Sequence, residues 1–236
     1  MKNDLISCKS DFPIFNNQNI TYLDTASTSQ KPQSVINSLV EFYEGYNANV
    51  HRGLYPWAEK ATSKYESARN QIANHINAPS SSLIFTKGTT ESINFVSHSW
   101  GESNIIKENN IVITEMEHHS NIVPWQILAQ KTGSELRYIP ISDNGELLLD
   151  DISNIIDENT KIVSVTHQSN VFGTINPIKQ IISEAHSKGA LILIDAAQSI
   201  GHQEIDVKNI NCDFLVFSGH KILGPTGIGC LYIKEN

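Results

Sequence analysis

The chain has 236 residues, 39% of them hydrophobic and 18% charged, which is enough apolar material for one large or two small packed domains and excludes a disordered or fibrous chain. Seventeen basic against twenty-five acidic residues leave a net charge of −8, and no lysine/arginine run is present to grip a phosphate backbone, so nucleic acid is not an expected partner. No apolar run approaches the ~20 residues of a membrane helix, and Met1-Lys2-Asn3-Asp4-Leu5 lacks the apolar stretch of a secretory signal, so no membrane is expected and the expected address is cytoplasmic.

In chain order the periodicity predicts helices over Pro32 to Tyr46, with Pro32 in the first turn, Trp57 to Ile76 and Thr89 to Trp100. A strand follows over Ile111 to Thr114, a helix over Ile122 to Lys131 capped by Gly133, and a strand over Leu136 to Ile139. Further on come a helix over Asp150 to Ile156, a strand over Ile162 to Thr166, and a helix over Ile178 to Lys188 capped by Gly189. Strands over Ala190 to Ile194, Phe214 to Phe217 and Gly229 to Ile233 complete the pattern. Each apolar run reads as a buried strand, and the alternation with amphipathic stretches means an α/β fold. Cys8, Cys212 and Cys230 are far apart with no Cys-x-x-Cys pair, so neither a disulfide framework nor a cysteine metal site is indicated, and reduced structural thiols are expected.

In open α/β sheets ligands bind beyond the carboxyl ends of the strands. There the sequence places Glu115 to Asn121, His167 to Asn170, Asp195 to Gln198 and Ser218 to Lys221. An Asp ending an apolar strand needs a cationic or hydrogen-bonding partner, and a protonated ring nitrogen is one such partner for Asp195. A desolvated Lys221 would form a Schiff base with an aldehyde. Gly88-Thr89-Thr90-Glu91 opens a helix, offering N–H groups and hydroxyls to a phosphate. Aldehyde, ring nitrogen and phosphate together describe pyridoxal phosphate. Taken singly, each piece has a plainer reading: a helix cap at Thr89 or Thr90, a salt-bridged strand end at Asp195, a surface lysine at Lys221. Adjacent His118 and His119 do not have the spacing of a metal site, and Gly224 to Gly229 lacks the ending of a phosphate loop and reads as a turn.

The strings YLDTAST (22–28), VHRG (50–53), FTKGTTESIN (85–94), MEHHSNIVPW (116–125), THQSNVFGTINP (166–177), DAAQS (195–199) and DFLVFSGHKILGPTGIGCLY (213–232) resemble the cysteine desulfurases of the SufS/CsdA type, class V enzymes of pyridoxal-phosphate fold-type I. The resemblance covers nearly the whole chain in order. It implies a three-layer large domain over 21–236 after an N-terminal segment 1–20, with a mostly parallel seven-stranded sheet and helices on both faces. It further implies that Lys221 holds the cofactor and moves protons, that Asp195 pairs with the ring nitrogen, Gln198 with the ring oxygen, and that His118 stacks on the ring. Thr90, Ser218 and His220 match phosphate ligands, Asn170 lines the pocket, and His51 falls in a segment that approaches substrate. His119 is left as a structural neighbour.

The activity implied is release of sulfur from L-cysteine, giving alanine and an enzyme persulfide, by a homodimer that supplies a sulfur-acceptor protein of iron–sulfur cluster assembly. The family's C-terminal domain, with its accepting cysteine and substrate-clamping arginine, does not fall within these 236 residues, and the partner subunit's phosphate ligand in relatives also lies beyond them. The isolated chain is therefore expected to be inactive in sulfur transfer. Ala26-Ser27 and Tyr55-Pro56 also depart from the common pattern. The alternatives are a non-catalytic cofactor-domain fragment pairing with a full-length subunit, and a selenocysteine lyase or another class V aminotransferase.

Overall fold

A computed structural model describes residues 5–16 and 20–235; the parts of the expected N-terminal segment at 1–4 and 17–19 lie outside the described residues. Seven strands form one mixed sheet: β1 (Leu83–Thr86), β2 (Asn110–Thr114), β3 (Glu135–Ile139), β4 (Thr160–Thr166), β5 (Leu191–Asp195), β6 (Phe214–Ser218) and β7 (Gly229–Ile233). Their order across the sheet is β1-β7-β6-β5-β4-β2-β3. β7 runs antiparallel to both neighbours and every other pair is parallel, as in the mostly parallel seven-stranded expectation. The carboxyl ends of β1, β2, β4, β5 and β6 consequently share one edge, where Ser218 pairs with Gly229 and Thr166 with Asp195.

The helices are α1 (Gln33–Glu41), α2 (Pro56–His75), α3 (Thr89–Val96), α4 (Glu102–Asn104), α5 (Val123–Thr132), α6 (Ile152–Ile155), α7 (Ile178–Ser187) and α8 (Val207–Ile210). Side chains alternate along the strands between two cores, because successive residues of a strand face opposite sides. Val163, Ile192, Ile194, Leu215 and Phe217 pack with Ile181, Ile182 and Ala185 of α7 on one face. Ile162, Leu193 and Val216 pack with Ile93 of α3 and Trp125 and Leu128 of α5 on the other.

Several boundaries differ from the sequence expectation. Pro32 is the N-cap, with ψ 155°, and α1 begins one residue later. The helices expected through Tyr46 and Trp100 end in π-helical turns, Phe42–Tyr46 and Ser97–Gly101. The stretch from Asp150 shrinks to the four residues of α6. β1 was not among the expected strands. β3 is not a buried strand: it lies at the sheet edge, only Ile139 is buried, and Arg137 pairs with Asp157 at 2.7 Å. Gly133 and Gly189 both have φ 75°, as their capping positions require.

Candidate active site

Where the strand ends meet, a cavity of about 400 Å³ opens. It is lined by Thr90, His118, Asn170, Asp195, Gln198, Ser218, His220 and Lys221, together with Asp24, Ala26, Ser27, Thr89, Ser120, Thr166, Gln168 and Ala197. His51 is not among the lining residues: its Nε2 lies 2.9 Å from Glu66 Oε1 and its ring stands edge-on to Tyr65.

Asp195 ends β5 and is 4% exposed. Its Oδ1 accepts the Ala197 N–H at 2.9 Å, the only hydrogen bond to this carboxylate among the described residues. Burial pushes its pKa up to about 6, opposed by the Ala197 bond and the nearby Lys221 charge. Lys221 lies in a short 3-10 turn directly after β6, and among the described residues its Nζ makes no hydrogen bond or ion pair. Burial lowers its pKa, with Asp195 pulling the other way. The site therefore holds an under-partnered acid and an unpartnered amine in one cavity.

The start of α3 and the end of β6 form a cradle of backbone N–H groups and hydroxyls. Gly88, with φ 152°, is the N-cap of α3, so neither Thr89 nor Thr90 caps the helix through its side chain. A Cβ on Gly229 would lie 2.4 Å from Gly88 Cα, so the start of β7 approaches the turn into α3 this closely only because residue 229 is glycine. Ser218 Oγ accepts the Thr89 N–H at 2.8 Å and lies 2.8 Å from Thr89 Oγ1. Thr90 Oγ1 is 2.7 Å from Ser120 Oγ. The Ser120 N–H donates to His118 Nδ1 at 3.2 Å, which leaves the imidazole proton on Nε2. Burial first, then the Lys221 and His119 charges, lower the His118 pKa, and burial with the Lys221 and Lys31 charges does the same for His220.

Gln198 donates through Nε2 to the Ala26 carbonyl at 2.8 Å, tying the first segment of the chain to the turn after β5. Gln168 lines the cavity with its Oε1 buried and unpartnered among the described residues.

Sequence reasoning missed Glu117. Its buried carboxylate accepts Thr114 Oγ1 at 2.6 Å, the Thr166 N–H at 2.8 Å and Asn121 Nδ2 at 2.7 Å, joining the ends of β2 and β4 next to His118. Burial raises its pKa to about 8, the three donors oppose that shift, and the Asp195 charge adds to it. The acid three residues past a strand was its only local signal. Asp24 and Ser27, from the YLDTAST string but given no role by the sequence, also reach the cavity.

This arrangement fits pyridoxal phosphate in its donor set: an amine for the aldehyde, a buried carboxylate for the ring nitrogen, and the N–H groups and hydroxyls of a helix start for the phosphate. Among known proteins, the chain is 48% identical over 232 residues to a cysteine desulfurase of Escherichia coli O8 (strain IAI1), covering 96% of this chain and 57% of that protein. The apo structure of a cysteine desulfurase from Thermococcus onnurineus NA1 superposes with a TM-score of 0.92 at 42% identity, covering 98% of this chain and 57% of that one. The cysteine desulfurase CsdA from Escherichia coli does so with 0.87 at 36% identity, covering 95% and 56%. The chain thus spans a little over half the length of the relatives it matches. Residues 21–236, which include every residue lining the cavity, match the model of the class-V aminotransferases, and the chain belongs to that family.

Proposed function

We propose that residues 21–236 are the cofactor-binding part of a pyridoxal-phosphate-dependent cysteine desulfurase. In this reading the whole protein is a cytoplasmic homodimer that takes sulfur from L-cysteine, leaves alanine and hands a persulfide sulfur to an acceptor protein of iron–sulfur assembly. The observation that carries it is the pairing, in one cavity, of unpartnered Lys221 with buried Asp195. The likeness to proteins named cysteine desulfurases supports the choice of substrate.

When bound, pyridoxal phosphate supplies an electron sink for the bonding pair released at the substrate Cα. Lys221, its pKa lowered by desolvation, would hold the aldehyde carbon through Nζ, and the same nitrogen would carry a proton to and from the substrate. Asp195, whose one hydrogen bond among the described residues is from the Ala197 N–H, would pair with the ring N–H and favour its protonated form. The start of α3, with Thr90, Ser218 and His220, takes the phosphate. His118, fixed by Ser120 in one tautomer, covers the ring. Gln198 keeps one amide hydrogen on Ala26 and has a second for the ring oxygen. Asn170 would line the same pocket beside the cofactor. His51, held by Glu66, receives no step.

Borohydride reduction of the chain mixed with pyridoxal phosphate, followed by peptide mapping, tests the assignment. The label is expected on Lys221 and absent in Lys221→Ala. A label on another lysine overturns it.

A further inference from the structure

Among the described residues Lys221 Nζ makes no hydrogen bond or ion pair, so its place in the cavity depends on how the backbone around it is held. The residues on either side of it are gripped from a segment about 190 positions earlier. The carbonyl of His220 receives the Ser29 N–H at 2.9 Å, Ser29 Oγ at 2.9 Å, Lys31 Nζ at 3.1 Å and Thr28 Oγ1 at 3.2 Å. On the far side of Lys221, the Leu223 N–H donates to Ser29 Oγ at 2.8 Å. A serine hydroxyl has one hydrogen and two lone pairs, so accepting from Leu223 leaves its hydrogen for His220. Ser29 is 3% exposed, so water does not substitute for either bond. Leu223 has φ 68°, a left-handed conformation that a leucine holds only when its surroundings impose it. The Ser29 hydroxyl is one restraint, and the Gly224 N–H bond to the Gly219 carbonyl at 2.9 Å is the other.

We propose that Ser29 is a positioning residue for Lys221: its buried hydroxyl bridges His220 and Leu223 and fixes the turn from which the lysine enters the cavity. The inference rests on the cofactor reading above. It adds that a residue outside the cavity wall sets how readily the cofactor attaches. Thr28 and Lys31 reinforce the same carbonyl, and Lys31 also donates to the Ser29 carbonyl.

The experiment compares wild type with Ser29→Ala, Ser29→Cys and Ser29→Thr. In the ligand-free chain, the pH dependence of Lys221 acylation is read by mass spectrometry. Separately, attachment of pyridoxal phosphate is followed by borohydride trapping. Wild-type Lys221 is expected to titrate below an ordinary lysine, with Ser29→Ala moving the midpoint upward and weakening cofactor attachment about tenfold, as loss of the hydrogen bonds at this turn implies. Ser29→Thr, which keeps the hydroxyl, is expected to restore wild-type behaviour. Ser29→Cys, nearly equal in volume but a weak hydrogen bonder, is expected to fall between and carries the test if the alanine variant does not fold. Lys221 acylation and cofactor trapping unchanged in the alanine or cysteine variant overturn this proposal alone. No trapped cofactor on wild-type Lys221 overturns the cofactor reading and this proposal with it.

Discussion

An aspartate with one hydrogen bond at the bottom of a cavity carries a cost that a ligand removes. Asp195 has its pKa raised from 3.8 to about 6, mainly by burial. For an acid shifted upward, the folded chain takes up its proton before the unfolded chain does as pH falls. The destabilisation is therefore absent below about pH 4, grows as pH rises through about 6, and is complete above it. A shift of about two units corresponds to roughly 3 kcal/mol. Asp195→Asn keeps an acceptor for the Ala197 N–H and removes the buried charge. In urea titrations of the ligand-free chain, the variant is expected to be more stable than wild type by up to roughly 3 kcal/mol at about pH 7.5, with the gap closing near pH 4. An equal gap at both pH values would show that packing, not charge, separates them. Glu117 titrates in both proteins and does not alter the sign, although its charge works against that of Asp195.

The elements around the cavity meet by close backbone contact, and Gly229 is where this is tightest. A Cβ there would lie 2.4 Å from Gly88 Cα and 2.7 Å from the Phe217 carbonyl oxygen, both backbone atoms that cannot swing aside. Gly229→Ala must push the start of β7 away from the turn into α3, at about 1–3 kcal/mol for overpacking. Because that turn is the proposed phosphate seat, the variant is expected to bind pyridoxal phosphate at least about tenfold more weakly while its affinity for dephosphorylated pyridoxal barely changes. Equal losses for both ligands would place the damage elsewhere. The strand ends that build this edge were legible in the sequence because parallel strands buried on both faces read as continuous apolar runs, as Ile162 to Thr166 does. Leu83–Thr86 escaped notice because four residues carry little periodicity and the strand is defined by antiparallel pairing with β7, some 145 residues on. The polar residues after each strand were legible because they stand next to those runs. The grip of Ser29 on the Lys221 turn was not, since hydrogen bonds between residues 29 and 220 leave no local pattern, and Glu117 was hidden because burial of a carboxyl is a tertiary fact.

At the scale of the whole molecule, the cavity draws on segments from Asp24 to Lys221, so the described chain brings together the groups proposed to hold the cofactor; sulfur transfer needs a thiolate as well. None of the three cysteines lines the cavity. Cys212 is buried just before β6, at the end of that strand remote from Ser218, and Cys230 is buried in β7 opposite Phe217. Burial pushes both thiols up to about 12, leaving almost no thiolate near neutral pH. Cys8 is exposed but is not among the cavity residues. A nucleophile that is not held against its target forgoes an effective molarity of about 10⁵ M or more. The 236-residue chain, loaded with pyridoxal phosphate and given L-cysteine, is therefore expected to release alanine and sulfide only at background. That background should persist when Cys8→Ser, Cys212→Ala and Cys230→Ala are made singly. Fusion to the C-terminal part of a full-length relative is expected to raise turnover by several orders of magnitude, because it adds a positioned thiol to the proposed cofactor site. Turnover by the unfused chain that disappears with one cysteine replacement would identify that residue as the sulfur acceptor and overturn the assignment of all three as bystanders.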